Sequence, residues 1–282
     1  MSTVYTLNGK VLKNSANDKW LTKKVDPYNP LGLPPNTVRV RTNDGNVPYN
    51  GSNASYETAT LVPGTTDVYD VYKSGTDFSN LLNNSTNVIE VLGANTTGIT
   101  NMEYMFRSCR ITSVPLFDTS NVTDMFYMFS NCYNLTSVPL FDTTKVTNMS
   151  YMFSDCSSLT SIPLFNTSNV TTMGFMFNYC SNLTSVPLFD TYKVRNMGYM
   201  FNYCSKLTSI PLFNTSNVTT MYRTFCRCYN VESGALALYQ QASTQANPPS
   251  NHTETFKNCG SDTATGLVEL EQIPSSWGGA GA

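Results

Sequence analysis

Charged residues are scarce in this chain. Of its 282 residues 13% are charged, and 17 Lys and Arg against 19 Asp and Glu leave a formal net charge of −2. A domain that binds duplex nucleic acid would show a basic face, and the sequence has none. Ser, Thr and Asn supply most of the polarity, which indicates a surface with little electrostatic steering toward any partner.

Histidine is almost absent, since His252 is the only one. This disfavours a zinc site and leaves few options for general acid–base catalysis near neutral pH. No nucleophile-elbow, Walker A, zincin or dinucleotide-binding motif is present either. We therefore predict a protein that is not an enzyme and has no catalytic residue, cofactor or metal ligand.

Long apolar runs are also lacking. No segment reaches the roughly 18 apolar residues that cross a bilayer. The first ten residues show no basic start followed by an apolar core, and the last residues form no hydrophobic tail. We expect neither a secretory signal nor a membrane anchor.

The most prominent feature of the sequence is a repeated motif. The pattern Met-x-x-Met-Phe-x-x-Cys returns every 24 residues, in segments 125–132, 149–156, 173–180 and 197–204. A fixed period of this length indicates stacked supersecondary units that bury a shared core. Identical strings at 161–173 and 209–221 indicate duplication of a block of two repeats.

The apolar spacing within one repeat predicts a helix and then a strand. Met173, Met176, Phe177 and Cys180 fall at i, i+3, i+4 and i+7, one face of an α-helix, with Thr171 or Thr172 as its N-cap. Leu183, Val186 and Leu188 follow as an inward-facing strand pattern. Because Pro187 has no backbone N–H, we expect the paired strand to cover only 183–186.

These elements predict a curved stack. Paired strands advance about 4.8 Å per repeat, whereas packed helices need about 8–10 Å. We therefore expect strands on a concave side and helices on a convex side. At helix spacing the recurring cysteines would be too far apart for disulfides, which need Cα atoms within about 7 Å. They are interpreted as a ladder of buried thiols.

Three parts are predicted along the chain. Residues 1–72 read as a small β module, with a hairpin around Asn8-Gly9 and strands at 37–42, 56–62 and 67–72. Residues 73–232 hold the repeats, starting with a degenerate one at Phe78. Residues 233–282 read as a C-terminal cap with helices near 234–242 and 267–273, and with a Gly-rich tail that is flexible unless an assembly holds it.

Together with Leu-Thr-Ser-Val/Ile-Pro-Leu-Phe and Asp/Asn-Thr-Ser-Asn-Val-Thr, the repeat motif resembles the BspA-like leucine-rich-repeat surface proteins over roughly residues 75–232. The resemblance implies an α/β leucine-rich-repeat-like solenoid of 24-residue strand-plus-helix units. It also implies an adhesive or structural role, since family members are bacterial surface adhesins and structural proteins of gut phages.

Two rows of side chains are candidate ligand-binding surfaces. One consists of Tyr127, Tyr151, Phe175 and Tyr199, which either contact sugars or a partner protein or cover the interface between adjacent helices of the repeats. The other consists of Thr136, Thr160, Thr184 and Thr208 with the serines that follow them, either a glycan-binding face or an inert polar ladder. A third recurring set is interpreted as turn residues rather than calcium ligands: Asp118, Asp142, Asn166, Asp190 and Asn214.

The expected function is a phage virion accessory protein, a fibre or decoration on head or tail. The lack of a signal and an anchor favours this version over the bacterial one. The β module would bind other virion proteins, and the repeats would face host or mucosal glycans or proteins on the virion surface. The alternative is a secreted or cell-surface bacterial adhesin. Homo-oligomerisation remains open, and neither nucleic acid nor a membrane is expected as a partner.

Overall fold

The structure, a computed structural model, describes residues 26–49 and 54–281, together with the strand pairing of residues 6–7 and 10–11. Strands β1 (Thr6–Leu7) and β2 (Lys10–Val11) pair antiparallel with Leu7 opposite Lys10. This pairing confirms the predicted N-terminal hairpin. The Asn8-Gly9 turn itself lies outside the described residues.

A four-stranded antiparallel sheet follows, made of β3 (Thr37–Thr42), β4 (Thr58–Leu61), β5 (Val68–Tyr72) and β6 (Val88–Asn95). The order of its strands is β4-β5-β3-β6. The first three lie within the predicted segments 37–42, 56–62 and 67–72. The fourth comes from the first repeat and pairs along β3, so the sheet takes in a strand from beyond residue 72. The division of roles at that residue stays a prediction.

From residue 77 onward the chain forms repeats that stack in parallel. Parallel β-bridges join the successive positions Asp77, Asn101, Asp124, Asn148, Thr172, Asn196, Thr220 and Asn251. At each interface alternate N–H groups bind the next repeat: Met149 N to Thr172 O at 3.1 Å, Tyr151 N to Gly174 O at 3.0 Å, and Phe153 N to Met176 O at 2.9 Å. The predicted repeat fold is therefore confirmed, including its degenerate first unit, where Phe78 N donates to Asn101 O.

The predicted helices of the Met-x-x-Met-Phe-x-x-Cys segments are wrong. These segments are chains of tight turns, in which Met152 N bonds Met149 O at 3.2 Å and Cys156 N bonds Phe153 O at 3.1 Å. Tyr151 and Asp155, third in their four-residue turns, have φ of 59° and 63°, as a type II turn requires. A chain of such turns places residues i, i+3, i+4 and i+7 on one face, as a helix does. Every second N–H bonds the next repeat instead, and thus Thr171 and Thr172 cap no helix.

The predicted strand at 183–186 is also absent, and the continuous hydrogen-bond ladder lies in the turn segments instead. Around this segment one backbone bond crosses each of the two repeat boundaries, from Thr184 N to Thr160 O at 3.2 Å and from Thr208 N to Thr184 O at 3.1 Å. The expected mismatch between strand and helix spacing is missing, because the turn segments themselves stack at the β spacing. Their phenylalanine rings repeat at 5.2–5.9 Å rather than at the 8–10 Å of packed helices.

One inward position differs from the prediction. Leu188 is 58% exposed, whereas Phe189 beside it is 2% exposed and packs 6.2 Å from the ring of Phe177. The inward pattern is therefore Leu183 with Phe189, and Val186 is half-buried. Because an extended chain alternates its side chains, only one of two adjacent residues faces the core.

The C-terminal part closes the stack. Helix α1 (Ala235–Thr244) lies where predicted, and helix α2 (Ala264–Glu271) overlaps the predicted 267–273 but begins earlier and ends before Ile273. The Thr263 side chain caps α2 by accepting from Gly266 N. Phe256 extends the phenylalanine column, and Trp277 covers it at 6.4 Å. The Gly-rich tail is held within the chain, since Ala280 N bonds Leu270 O and Gly281 N bonds Ile273 O, each at 2.9 Å.

Candidate binding groove

The Met, Phe and Cys side chains that define the repeat are fully buried and hold it together. Cys180 Sγ donates to Phe153 O at 3.1 Å, and Cys156, Cys204 and Cys228 make the same bond to the carbonyl of the preceding repeat. Burial raises the pKa of these thiols, so they stay protonated and unreactive. The buried thiol ladder is confirmed, although the helix spacing used to argue against disulfides is wrong.

The predicted aromatic row forms a continuous stack. Tyr127, Tyr151, Phe175 and Tyr199 lie face to face with Tyr104 at one end, with centroids 4.2–4.9 Å apart and planes within 15°. The rings therefore cover one another between repeats, although the helices whose interface they were expected to cover are absent. Their edges and hydroxyl groups remain at the surface, because each of these side chains is half-buried.

Each ring of this row stands on a strained backbone position. Tyr104, Tyr127, Tyr151, Phe175 and Tyr199 have φ between 55° and 60°, a conformation that Gly or Asn adopts at low cost and a bulky residue rarely adopts. In the first repeat Asn80 occupies this position. Ring stacking contributes about 0.5–1.5 kcal/mol per pair and so offsets part of a backbone cost of about 1–2 kcal/mol per residue.

A second row runs beside the first, four residues further along each repeat. It contains Tyr179 and Tyr203, which stack at 4.4 Å and also have positive φ. Between the two rows lie the buried amides of Asn178 and Asn202, joined by a 2.8 Å bond from Asn202 Nδ2 to Asn178 Oδ1. The surface formed by the first row and, in the repeats of Tyr179 and Tyr203, by the second row and the amides beside it is called the groove. The sequence pattern showed the first row, but nothing in it showed that the second lies alongside.

Positive charge gathers at the C-terminal end of this groove. A cleft of about 190 Å³ is lined there by Tyr199, Tyr203, Asn202, Arg223, Arg227, Glu254 and Lys257, among others. Arg227 lies 4.5 Å from the Tyr203 ring centroid, within cation–π range. Glu254 pairs with both Arg223 and Lys257, and hydrogen bonds from the two cations lower the pKa of its carboxyl.

The threonine row lies elsewhere on the surface. Thr136, Thr160, Thr184 and Thr208 are exposed, as predicted, and none of them lines the cleft. Their hydroxyl groups are partly used along the stack, since Thr136 Oγ1 donates to Thr112 O at 3.0 Å and Thr208 Oγ1 to Thr184 O at 3.2 Å. The structure therefore does not bring the two predicted rows together.

The recurring acidic and amide residues are turn residues, as interpreted. Asp142 Oδ1 accepts from Thr144 N at 3.0 Å and from its hydroxyl at 2.7 Å, which lowers the pKa of the Asp142 carboxyl. Asn166 and Asp190 bind the backbone two residues on in the same way. In the part of the chain that the structure describes, no three His, Cys, Asp or Glu residues converge on a point that would hold a metal ion.

A row of exposed leucines was missed by the sequence reasoning. Leu116, Leu140, Leu164, Leu188 and Leu212 occupy one repeat position and point into solvent. Because each leucine stands in an apolar Pro-Leu-Phe sequence, the pattern predicts that it is buried. The structure shows that the phenylalanine after it is buried and that the leucine faces solvent. Within residues 26–49 and 54–281, no helix has the length and apolar character needed to span a bilayer.

Comparison with protein families matches the repeats to the family described as "Mycoplasma protein of unknown function, DUF285", at residues 76–185, 134–237 and 158–259. These overlapping matches cover well over half of the chain. The chain belongs to the DUF285 family. The match begins at the first, degenerate repeat and ends with the last turn segment, so the family corresponds to the stacked part of the fold.

Among solved structures the chain is similar to a leucine-rich repeat protein from Eubacterium ventriosum, with 24% identity and a TM-score of 0.32. The similarity covers 52% of this chain and 41% of that one, so the chain spans well under half of that protein. Comparison with curated proteins finds no match.

Proposed function

We propose that this DUF285 protein is a non-enzymatic, surface-type repeat protein that binds an extended polar ligand, a glycan on a host or mucosal surface, along its groove. The observation that supports this most directly is the continuous stack of Tyr104, Tyr127, Tyr151, Phe175 and Tyr199. Near-identical repeats suit an extended contact surface better than a single catalytic centre.

The chemistry of the groove fits a ligand rich in hydroxyl groups. Since the ring faces are occupied by neighbouring rings, the ligand meets ring edges, phenol groups and, between the rows, asparagine amides. Phenols and amides both donate and accept hydrogen bonds. The phenol position of the first row recurs at Tyr104, Tyr127, Tyr151 and Tyr199, which suits an extended ligand, whereas the amides belong to the repeats of Asn178 and Asn202.

The test compares the two predicted rows on the full chain. Tyr127→Phe, Tyr151→Phe and Tyr199→Phe together remove phenol groups and keep the ring stack, as Phe175 does naturally. The control is Thr136→Val, Thr184→Val and Thr208→Val together. On a glycan array followed by titration of the strongest hits, we expect the phenylalanine variant to lose binding about tenfold or more, at about 1.4 kcal/mol per factor of ten, and the valine variant to keep it. Equal losses, or no glycan bound by the parent chain, would contradict the proposal.

The location that we propose is the surface of a bacterium, or the medium around it if the protein is secreted. The family carries a Mycoplasma name, and this favours the bacterial adhesin over the virion accessory protein expected from the sequence. In the virion version residues 1–72 would attach the protein to the particle. Gene neighbourhood separates the two: capsid, portal and tail genes would support the virion, whereas secretion or surface-attachment genes would support the adhesin.

A further inference from the structure

The cleft at the C-terminal end of the groove is chemically unlike the rest of it. Three cationic side chains, Arg223, Arg227 and Lys257, meet there with one carboxylate, Glu254. The chain as a whole carries a net charge of −2, so a local excess of positive charge is not a property of its surface in general. A positive cleft with low-dielectric walls attracts anionic groups.

Glu254 orders this cluster without neutralising it. Its two oxygens are engaged by Arg223 and Lys257, one each. Arg227 takes part in no ion pair among the described residues and is held by its contact with the Tyr203 ring at 4.5 Å. The Arg227 guanidinium is therefore positioned by an aromatic face while its N–H groups remain available to a ligand.

The dimensions limit what enters. The cleft has about 190 Å³, less than the roughly 300–1,000 Å³ of pockets that enclose a drug-sized molecule. Tyr199 and Tyr203 form its aromatic sides, with the buried Asn202 between them. A single ring with an anionic substituent matches these limits.

We propose that this cleft binds the carboxylate of an acidic sugar residue, of the uronic or sialic acid type, with Arg227 as the principal anion-binding group. The inference deepens the proposed function and rests on it, since the acidic sugar would belong to the glycan that follows the groove. A guanidinium donates two parallel hydrogen bonds to a carboxylate. The phenols of Tyr199 and Tyr203 are the groups available to the sugar hydroxyls, together with Oδ1 of Asn202, whose Nδ2 already donates to Asn178.

The test measures binding of monosaccharides to the full chain by saturation-transfer NMR and calorimetry, with glucuronic acid, glucose and glucose 6-sulfate as probes. We expect glucuronic acid to bind at least tenfold more tightly than glucose and more tightly than the sulfate ester, and its affinity to fall as salt rises. Equal affinity for glucuronic acid and glucose would overturn the proposal, and tighter binding of the sulfate ester would overturn the choice of a carboxylate.

Matched variants locate the site. Arg227→Gln should abolish the preference for the acid, and Arg227→Lys should restore only part of it because an ammonium lacks the planar fork. Lys193→Gln removes an exposed cation that binds Asn169 in a turn outside the cleft and should change nothing. Folding of each variant is checked by circular dichroism. An Arg227→Gln chain that folds and binds glucuronic acid as Lys193→Gln does would refute the assignment.

The outcome separates this inference from the proposed function. If oligosaccharides bind along the groove without any preference for acids, the cleft assignment fails and the proposed function stands. If glucuronic acid binds through Arg227 but the phenylalanine variant keeps all glycan binding, the extended groove fails and the anion site stands.

Discussion

Tyr151 and Phe175 stack face to face across one repeat boundary, with centroids 4.3 Å apart and planes inclined by 7°. The backbone beneath them is joined at the same boundary by the bond from Tyr151 N to Gly174 O. Side chains and backbone therefore advance together at the spacing of a β-sheet. Each interface is held both by hydrogen bonds and by stacked rings, those of the surface row and those of the buried phenylalanine column.

Because the backbone of Tyr151 is strained, we expect its glycine variant to be more stable than its alanine variant. Tyr151→Ala should destabilise the protein by about 1–3 kcal/mol, because two stacking contacts are lost. Tyr151→Gly loses the same contacts but regains about 1 kcal/mol, since φ of 59° suits glycine. Urea unfolding followed by circular dichroism should therefore rank the glycine variant above the alanine variant.

Ser150 is the control for this ranking, because it is not among the residues with positive φ. There the usual order applies, and Ser150→Ala should be more stable than Ser150→Gly by about 0.5–1 kcal/mol. If alanine exceeds glycine at both positions, stacking alone explains the row and the strain argument is wrong.

Truncation of Phe189 should lower the free energy of unfolding strongly, whereas truncation of the adjacent Leu188 should hardly change it. Phe189→Ala removes a ring that is 2% exposed and should cost about 3–5 kcal/mol. Leu188→Ala changes a side chain that is 58% exposed and should stay within about 0.5 kcal/mol of the parent. Denaturant midpoints measured side by side decide this, and a large loss at Leu188 would mean that its row is covered in solution.

Alkaline pH should destabilise the protein through its buried thiols. Burial raises the pKa of Cys156 and Cys180 above the ordinary thiol value. As the pH rises, the thiols of the unfolded chain lose their protons before those of the folded chain. The contribution of the buried thiols to the free energy of unfolding is therefore full below about pH 8.5, and above that it falls by about 1.4 kcal/mol per thiol and pH unit. Guanidinium midpoints at pH 7.5 and 9.5, with reductant present, should show the decrease. Cys156→Ala with Cys180→Ala should make it shallower, and an unchanged slope would contradict the thiol origin.

The strand β6 ties the sheet to the first repeat, which bears on truncation. A chain starting at Lys73 lacks β3, so one edge of β6 has no strand to pair with. Val88, Val91 and Ala94 of β6 also lose the apolar side chains of β3 as neighbours. Such an edge promotes association. Sedimentation should show self-association that increases with concentration, whereas a chain starting at Asp26 keeps the sheet and should match the full chain. Identical behaviour of both would show that β6 needs no partner.

Much of the fold follows from local patterns. The strand of residues 37–42 alternates, the helices near 234–242 and 267–273 have suitable composition, and the 24-residue period places Met149, Phe153 and Cys156 inside. The turn role of Asp142 follows from its own chemistry, because its side chain binds the backbone two residues on. These features depend on residues close in sequence or on strict repetition.

The sequence by itself determined the period, the buried Met, Phe and Cys, the row containing Tyr151 and the closing helices. Only the tertiary structure decided that the Met-Phe segments are turns, that Leu188 faces solvent, and that Tyr203 and Arg227 meet Glu254 and Lys257 in one cleft. The physical reason is that a helix and a chain of four-residue turns share the spacing i, i+3, i+4 and i+7. The choice between them rests on hydrogen bonds to residues about 24 positions away, which no local pattern records.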